Sequence, residues 1–183
     1  MKRSIGIMEI KNIAKGFLVA DSMLKGANVE LIMANSLCPG KYIIMIAGDV
    51  GAVQNAVRSG RAAGGSENIV DETVLPNIHE DIFKALSGST DVKRIRSLGI
   101  IETYSVASAI IAADTAAKAA AIELLEVRLA RGMGGKAVVS LTGEVGAVNS
   151  AVRAGTSAIQ DNGFLVDHLV IAAPHQALHK ALF

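Results

Sequence analysis

Apolar positions along this chain change period several times, and the changes come twice. Residues 4–10 form an apolar run with one glycine inside, the pattern of a short buried strand. From Ile13 the period turns helical: Ile13, Phe17, Ala20 and Leu24 recur on one face. Asn12 stands before them as an N-cap. Asp21 precedes Lys25 by four residues, the favourable order for a helical ion pair. Residues 29–34 and 42–47 read as strands, joined by a turn at 35–41 where Pro39-Gly40 breaks regular structure. Asp49 is placed to cap a second helix from residue 50 to about 63. Residues 69–75 give a fourth strand, and a short helix over about 79–86 closes the pattern. The order β-α-β-β-α-β predicts an α+β fold of the ferredoxin-like, split βαβ kind.

The same succession then returns. Gly6-Ile7-Met8-Glu9 recurs as Gly99-Ile100-Ile101-Glu102, 93 residues on, and Asp21 and Lys25 recur as Asp114 and Lys118. Gly48 to Val53 recurs as Gly143 to Val148 at an offset of 95, and Val70-Asp71, Val74 and His79 recur at 96. Between residues 40 and 60, eleven of 21 positions are identical in the second copy, which chance does not produce. The chain is expected to be two copies of one domain, over residues 1–90 and 94–183, with a polar joint near 87–97. Ser105 occupies the position of Asn12 and is the expected cap of the second copy's first helix. If the single domain forms a ring of six, the doubled chain forms a ring of three.

Composition narrows the function. With 51% hydrophobic and only 19% charged residues over 183 positions, the chain is too apolar for disorder. Lys and Arg number 18 against 17 Asp and Glu, and neither half carries the basic footprint of a nucleic-acid binder. The longest apolar stretch, 106–125, is interrupted by Asp114, Lys118 and Glu123, so no membrane span is expected. Strand pattern begins at once after Met1, leaving no room for a signal peptide. The apolar surplus is expected to go into subunit contacts. One cysteine forbids an intrachain disulfide and fits a reducing cytoplasm.

Candidate chemistry is sparse. Arg131-Gly132-Met133-Gly134-Gly135-Lys136 resembles a phosphate loop, but Ala137 stands where Ser or Thr is needed and a strand follows. It reads as a strand–strand loop, two residues longer than its counterpart in the first copy. His79, His168, His175 and His179 read as surface or capping residues rather than metal ligands. Glu9 and Glu102, being repeat-equivalent, are expected to satisfy backbone donors at strand-to-helix turns. No serine sits in a nucleophile elbow and no acid, base or nucleophile constellation is present, so an enzyme is not expected. RNA stacking is not expected either: of residues 41–47 only Tyr42 is aromatic. Cys38 remains. As a small hydrophobe it would be buried. In a turn before Pro39-Gly40 it is instead expected to be exposed, where a thiol suggests metal chemistry. One thiolate cannot hold an iron–sulfur cluster, whereas three converging on a threefold axis supply most of its ligands.

The motifs around Gly6, Asp21–Lys25, Gly48–Val53, Val74–His79 and Val170–His175 together resemble the bacterial microcompartment (BMC) shell-protein domain, twice over nearly the whole chain. The tandem resembles the trimeric shell proteins that tile as pseudohexamers beside hexameric tiles, and is most similar to the type found in propanediol-utilisation compartments. That resemblance implies a homotrimer in a microcompartment shell, with Cys38 of three chains binding one [4Fe-4S] cluster for electron transfer. It implies pore loops at Leu37, Cys38, Pro39, Gly40, Arg131, Gly132, Met133, Gly134 and Gly135, and tile-edge contacts at Lys25 and Lys118. An encapsulated redox enzyme is a further implied partner; no nucleic acid or membrane is. Two other readings stay open: a plain tile with a metabolite pore and an incidental Cys38, and a small-molecule sensor on a ferredoxin-like scaffold.

Overall fold

The structure, a computed structural model, describes residues 4–91 and 94–178. The chain divides into two compact units. The first takes the chain up to Ile78 together with Ser105–Ala107 and Ala130–Lys136; the second takes the rest.

In the first unit, β1 (Ser4–Ile10) leads into α1 (Ile13–Gly26), β2 (Glu30–Leu37), β3 (Lys41–Gly48), α2 (Val50–Gly64) and β4 (Ile69–Leu75). The sheet order is β2-β3-β1-β4, antiparallel throughout. This is the ferredoxin-like arrangement that the alternating pattern predicts. β1 is central and all seven of its residues are buried, which is why it reads as a continuous apolar run. Its Gly6 is there for clearance: a Cβ would lie 2.8 Å from methyls of both Val53 and Val57 on α2. α1 rests on the sheet through Gly16, Val19, Ala20 and Met23, joining Met8, Ile44, Ile46 and Val53 in one core. Asn12 caps α1 as expected, its side-chain oxygen accepting the Lys15 N–H at 3.1 Å.

Two details differ from expectation. β2 continues through Asn35 and Ser36 to Leu37, because pairing with β3 down to Leu37–Lys41 satisfies the backbone that far. The reversal shrinks to Cys38-Pro39-Gly40, with Gly40 at φ +106°. Asp49 precedes α2 at the N-cap position, yet its side chain caps nothing; its carbonyl accepts from Val53 N–H instead.

The second unit begins with α3 (Asp81–Ser87), followed by β5 (Ser97–Thr103), α4 (Val106–Ala119), β6 (Ile122–Arg128), β7 (Ala137–Gly143), α5 (Val145–Ser157) and β8 (Leu165–Ile171); the opening residues of α4 belong to the first unit. The sheet repeats the first, β6-β7-β5-β8. Gly99 repeats Gly6, meeting Val148 and Val152 of α5. The short helix α3, expected to close the first copy, packs in the second unit against β6, with Ile82 and Ala85 buried. Its entry is held there by His79, whose N–H donates to the buried carboxylate of Asp114 on α4 at 2.8 Å. No described helix is long and apolar enough to cross a membrane.

Candidate functional site

The site is built on the β2–β3 reversal. β2 ends in the buried Leu37, and Cys38, partly exposed, opens a three-residue turn whose Pro39 and Gly40 lie at the surface. The segment Ala130–Lys136 lies against this turn within the same unit. The Cys38 N–H donates to Ala130 O at 2.8 Å, and the Gly132 N–H points back at Cys38 Sγ at 3.4 Å. At Gly135, at φ +86°, the two segments pass close together: a Cβ there would stand 3.0 Å from both Cys38 O and Pro39 Cδ. Only glycine takes that backbone without strain and leaves that gap. Ile13, Ser36 to Gly40, Arg131 and Gly132 border an open groove of about 720 Å³.

Beneath the turn sits an ionic cluster whose role sequence reasoning missed. Glu9, fully buried on β1, accepts from Lys41 Nζ through one oxygen. Its other oxygen accepts the Val106 N–H at 2.8 Å and the Ser105 hydroxyl at 3.1 Å. Lys41 also reaches Gly135 O at 3.3 Å, and the Ser105 hydroxyl also donates to Asp71. A buried carboxylate persists when it is paired and hydrogen-bonded in this way. Glu9 therefore satisfies a strand-to-helix turn, as expected, but the turn is the one before α4. The signal that pointed here is repetition, since Glu9 and Lys41 both return, as Glu102 and Lys136.

The expected pore-loop residues Leu37 to Gly40 and Arg131 to Gly135 are thus brought together. Their connections are unequal: three residues separate β2 from β3, and eight separate β6 from β7. Lys25 and Lys118 lie at the ends of α1 and α4. Each pairs with the aspartate four residues earlier, at 2.7 Å and 2.5 Å. Two histidine rings take part in local turns: His79 Nδ1 accepts from Asp81 N–H and His175 Nδ1 from Ala177 N–H. His168 is exposed on β8, and His179 lies outside the described residues. Among the described residues no three His, Cys, Asp or Glu side chains gather as a metal site. The chain's single cysteine is Cys38, with the Gly132 N–H directed at its Sγ.

Comparison with known proteins places the chain. The model of the BMC domain matches it twice, over residues 4–78 and 97–174. The bacterial microcompartment shell protein PduT of Citrobacter freundii is 43% identical over 182 residues, covering 100% of this chain and 98% of its own. The shell protein PduA of the same organism is 34% identical over 86 residues, covering 46% of this chain and 92% of its own. A crystal structure of a microcompartment protein from Desulfitobacterium hafniense DCB superposes with a TM-score of 0.87 at 46% identity, covering 98% of this chain and 99% of that one. A fused permuted hexameric shell protein from the RMM microcompartment shares the fold, with a TM-score of 0.66 at 22% identity, covering 87% of this chain and 84% of that one. Two BMC domains in tandem, alike along the full length to a shell protein, make this chain a member of the bacterial microcompartment shell-protein family.

Proposed function

We propose that this shell protein forms a trimeric, pseudohexagonal tile, with its domains at residues 1–90 and 94–183 and the joint near 87–97, and that three Cys38 thiolates meet on its axis to hold one [4Fe-4S] cluster. One observation supports the cluster above the rest. The cysteine turn and the glycine-rich 131–135 loop lie together, with the Gly132 N–H directed at Cys38 Sγ. Iron–sulfur clusters take up to four thiolates and are tuned by N–H donors to sulfur. Three copies supply three thiolates, because the second repeat has Arg131 where a cysteine would align. When bound, such a cluster supplies one-electron transfer, here across the shell.

The chain's own residues have separate parts in this reading. Cys38 ligates and Gly132 donates to it. Gly135 permits the close approach of the two loops. The Glu9–Lys41 pair holds the base of the turn rigid. Leu37 to Gly40 and Arg131 to Gly135 line the pore, and Lys25 and Lys118 stand at the tile edge facing hexameric shell proteins. An encapsulated redox enzyme is the natural electron partner. Anaerobic isolation after iron–sulfur reconstitution tests it, with iron analysis, visible absorption and EPR on wild type and Cys38→Ser. The expected result is about four iron atoms per three chains in the wild type and none in the variant. An iron-free wild type that still forms sheets would instead support the plain tile with a metabolite pore.

A further inference from the structure

The two repeats differ in the groove between the second helix of each and the strand that follows it. In the second unit this groove, about 670 Å³, runs open between α5 and β8. Asn149, Val152, Arg153 and Thr156 border it from the helix, and His168 and Val170 from the strand. Most of these repeat the first unit: Val152 and Val170 keep Val57 and Val74, and Arg153 keeps Arg58. Two positions change character. Arg61 on α2 becomes Thr156, and Glu72 on β4 becomes His168.

In the first unit the changed positions neutralise each other. The Glu72 carboxylate accepts from the Arg61 guanidinium, with the glutamate side chain only 17% exposed. In the second unit the carboxylate is gone and an arginine remains. Arg153 stands three residues before Thr156, on the same face of α5. Among the described residues, neither the Arg153 guanidinium nor the His168 ring takes part in a hydrogen bond or ion pair, and no acidic side chain borders the groove. Asp167, next along β8, belongs to the opposite face of the strand and accepts the His168 N–H. Thr156 turns its hydroxyl back on its own helix, donating to Val152 O at 2.9 Å. Asn149 gives one amide proton to Val145 O at 2.8 Å and has a second to offer.

An unpaired arginine beside an imidazole, over a wall of valines, suits an anion with an apolar body. The first repeat shows which anion the fold accommodates at this place: a carboxylate carried on two methylenes. We propose that the α5–β8 groove binds a short-chain aliphatic carboxylate. Its carboxylate meets Arg153 and His168, and its alkyl tail lies along Val152 and Val170. The ligand takes the place of the Glu72 side chain that the second repeat lacks. The site lies within one unit and goes beyond the tile reading, needing neither the ring nor the cluster.

Butyrate is the probe, because it reproduces Glu72 from Cα outward. It is titrated into the full chain and followed by saturation-transfer NMR, with butyramide and inorganic phosphate as parallel arms. Saturable binding of butyrate is expected, with none of butyramide, which has the tail without the charge. Phosphate, which has the charge without the tail, is expected to bind more weakly. Butyramide binding as well as butyrate, or phosphate binding better, overturns the proposal. Arg153→Gln should weaken butyrate binding by about tenfold or more, the worth of one hydrogen bond to a charged group. His168→Glu should abolish it, by returning the first repeat's carboxylate to the groove. Arg58→Gln, at the equivalent place on α2, should bind as the wild type does. All three positions are exposed, and circular dichroism checks the folding of each variant. A wild type without saturable binding overturns the site. So does a folded Arg153→Gln that binds as tightly as the wild type, or an Arg58→Gln that loses as much. A protein that binds butyrate yet forms no ring and holds no iron would overturn the tile and cluster readings and leave this site standing.

Discussion

Helices α1 and α4 have equivalent sequence patterns and different surroundings. Each buries four small or medium residues at equivalent positions. α4 then buries a second stripe headed by Val106 and Ile110, while α1 leaves Ile13 and Phe17 exposed. Amphipathic periodicity reports that a residue is apolar and recurs with the helix. It does not report how many partners the helix has. Two helices of one repeat can therefore carry the same message when one is buried on two sides and the other on one.

Substitutions at equivalent positions can break or sharpen this comparison. The largest effect is expected at Glu9→Ala, which removes the buried carboxylate from Lys41 and from the Val106 N–H. Breaking one side of a buried ion pair costs about 3–5 kcal/mol. Urea denaturation should show the loss at every protein concentration. A loss below about 1 kcal/mol would mean that the cluster under the Cys38 turn does not hold the fold. Next come Ile110→Ala and Phe17→Ala. The first should cost about 2–5 kcal/mol, the range for emptying a core site of this size. The second should cost stability only where copies associate, so its effect should vanish on dilution. Equal, concentration-independent losses would erase the distinction between the helices.

Gly6→Ala and Gly99→Ala probe a place where the repeats are alike. Each added methyl meets valines of the overlying helix at about 2.8–2.9 Å, and overpacking of this kind costs about 1–3 kcal/mol. Thermal denaturation should show similar losses for both; a harmless change in one would show that its helix can shift. The smallest effects are expected at the paired lysines. Lys25→Met removes an exposed helical pair and should change stability by no more than about 0.5 kcal/mol. Lys118→Met should cost more, because Asp114, with a side chain 6% exposed against 56% for Asp21, loses a charged partner it cannot replace with water. If the two variants melt alike, the burial of Asp114 has no energetic consequence.

Much of this was legible in the residues. The repeat and the alternation of periods disclosed two ferredoxin-like domains, because buried strands and amphipathic helices differ in period even when both are apolar. Cys38 and the glycines at 132, 134 and 135 stood out because turns need particular residues. What stayed hidden depends on long-range geometry. Nothing near Glu9 announces that its acceptor oxygen serves Val106, 97 residues away. The residues of α3 fit a terminal helix of the first copy equally well; its packing on β6 and the bond from His79 to Asp114 are what assign it to the second unit. Strand β2 outran its expected end because Asn35 and Ser36, poor strand formers alone, are held by β3.

The unequal connections, three residues between β2 and β3 and eight between β6 and β7, carry one last consequence. Because one polypeptide encodes both, they are produced in fixed proportion whatever the expression level. Two separately encoded single domains would mix statistically, and some rings would carry too many thiols or none. Here the peptide bond does the counting, and every closed ring of identical chains holds the cysteine turn and the glycine loop in equal number.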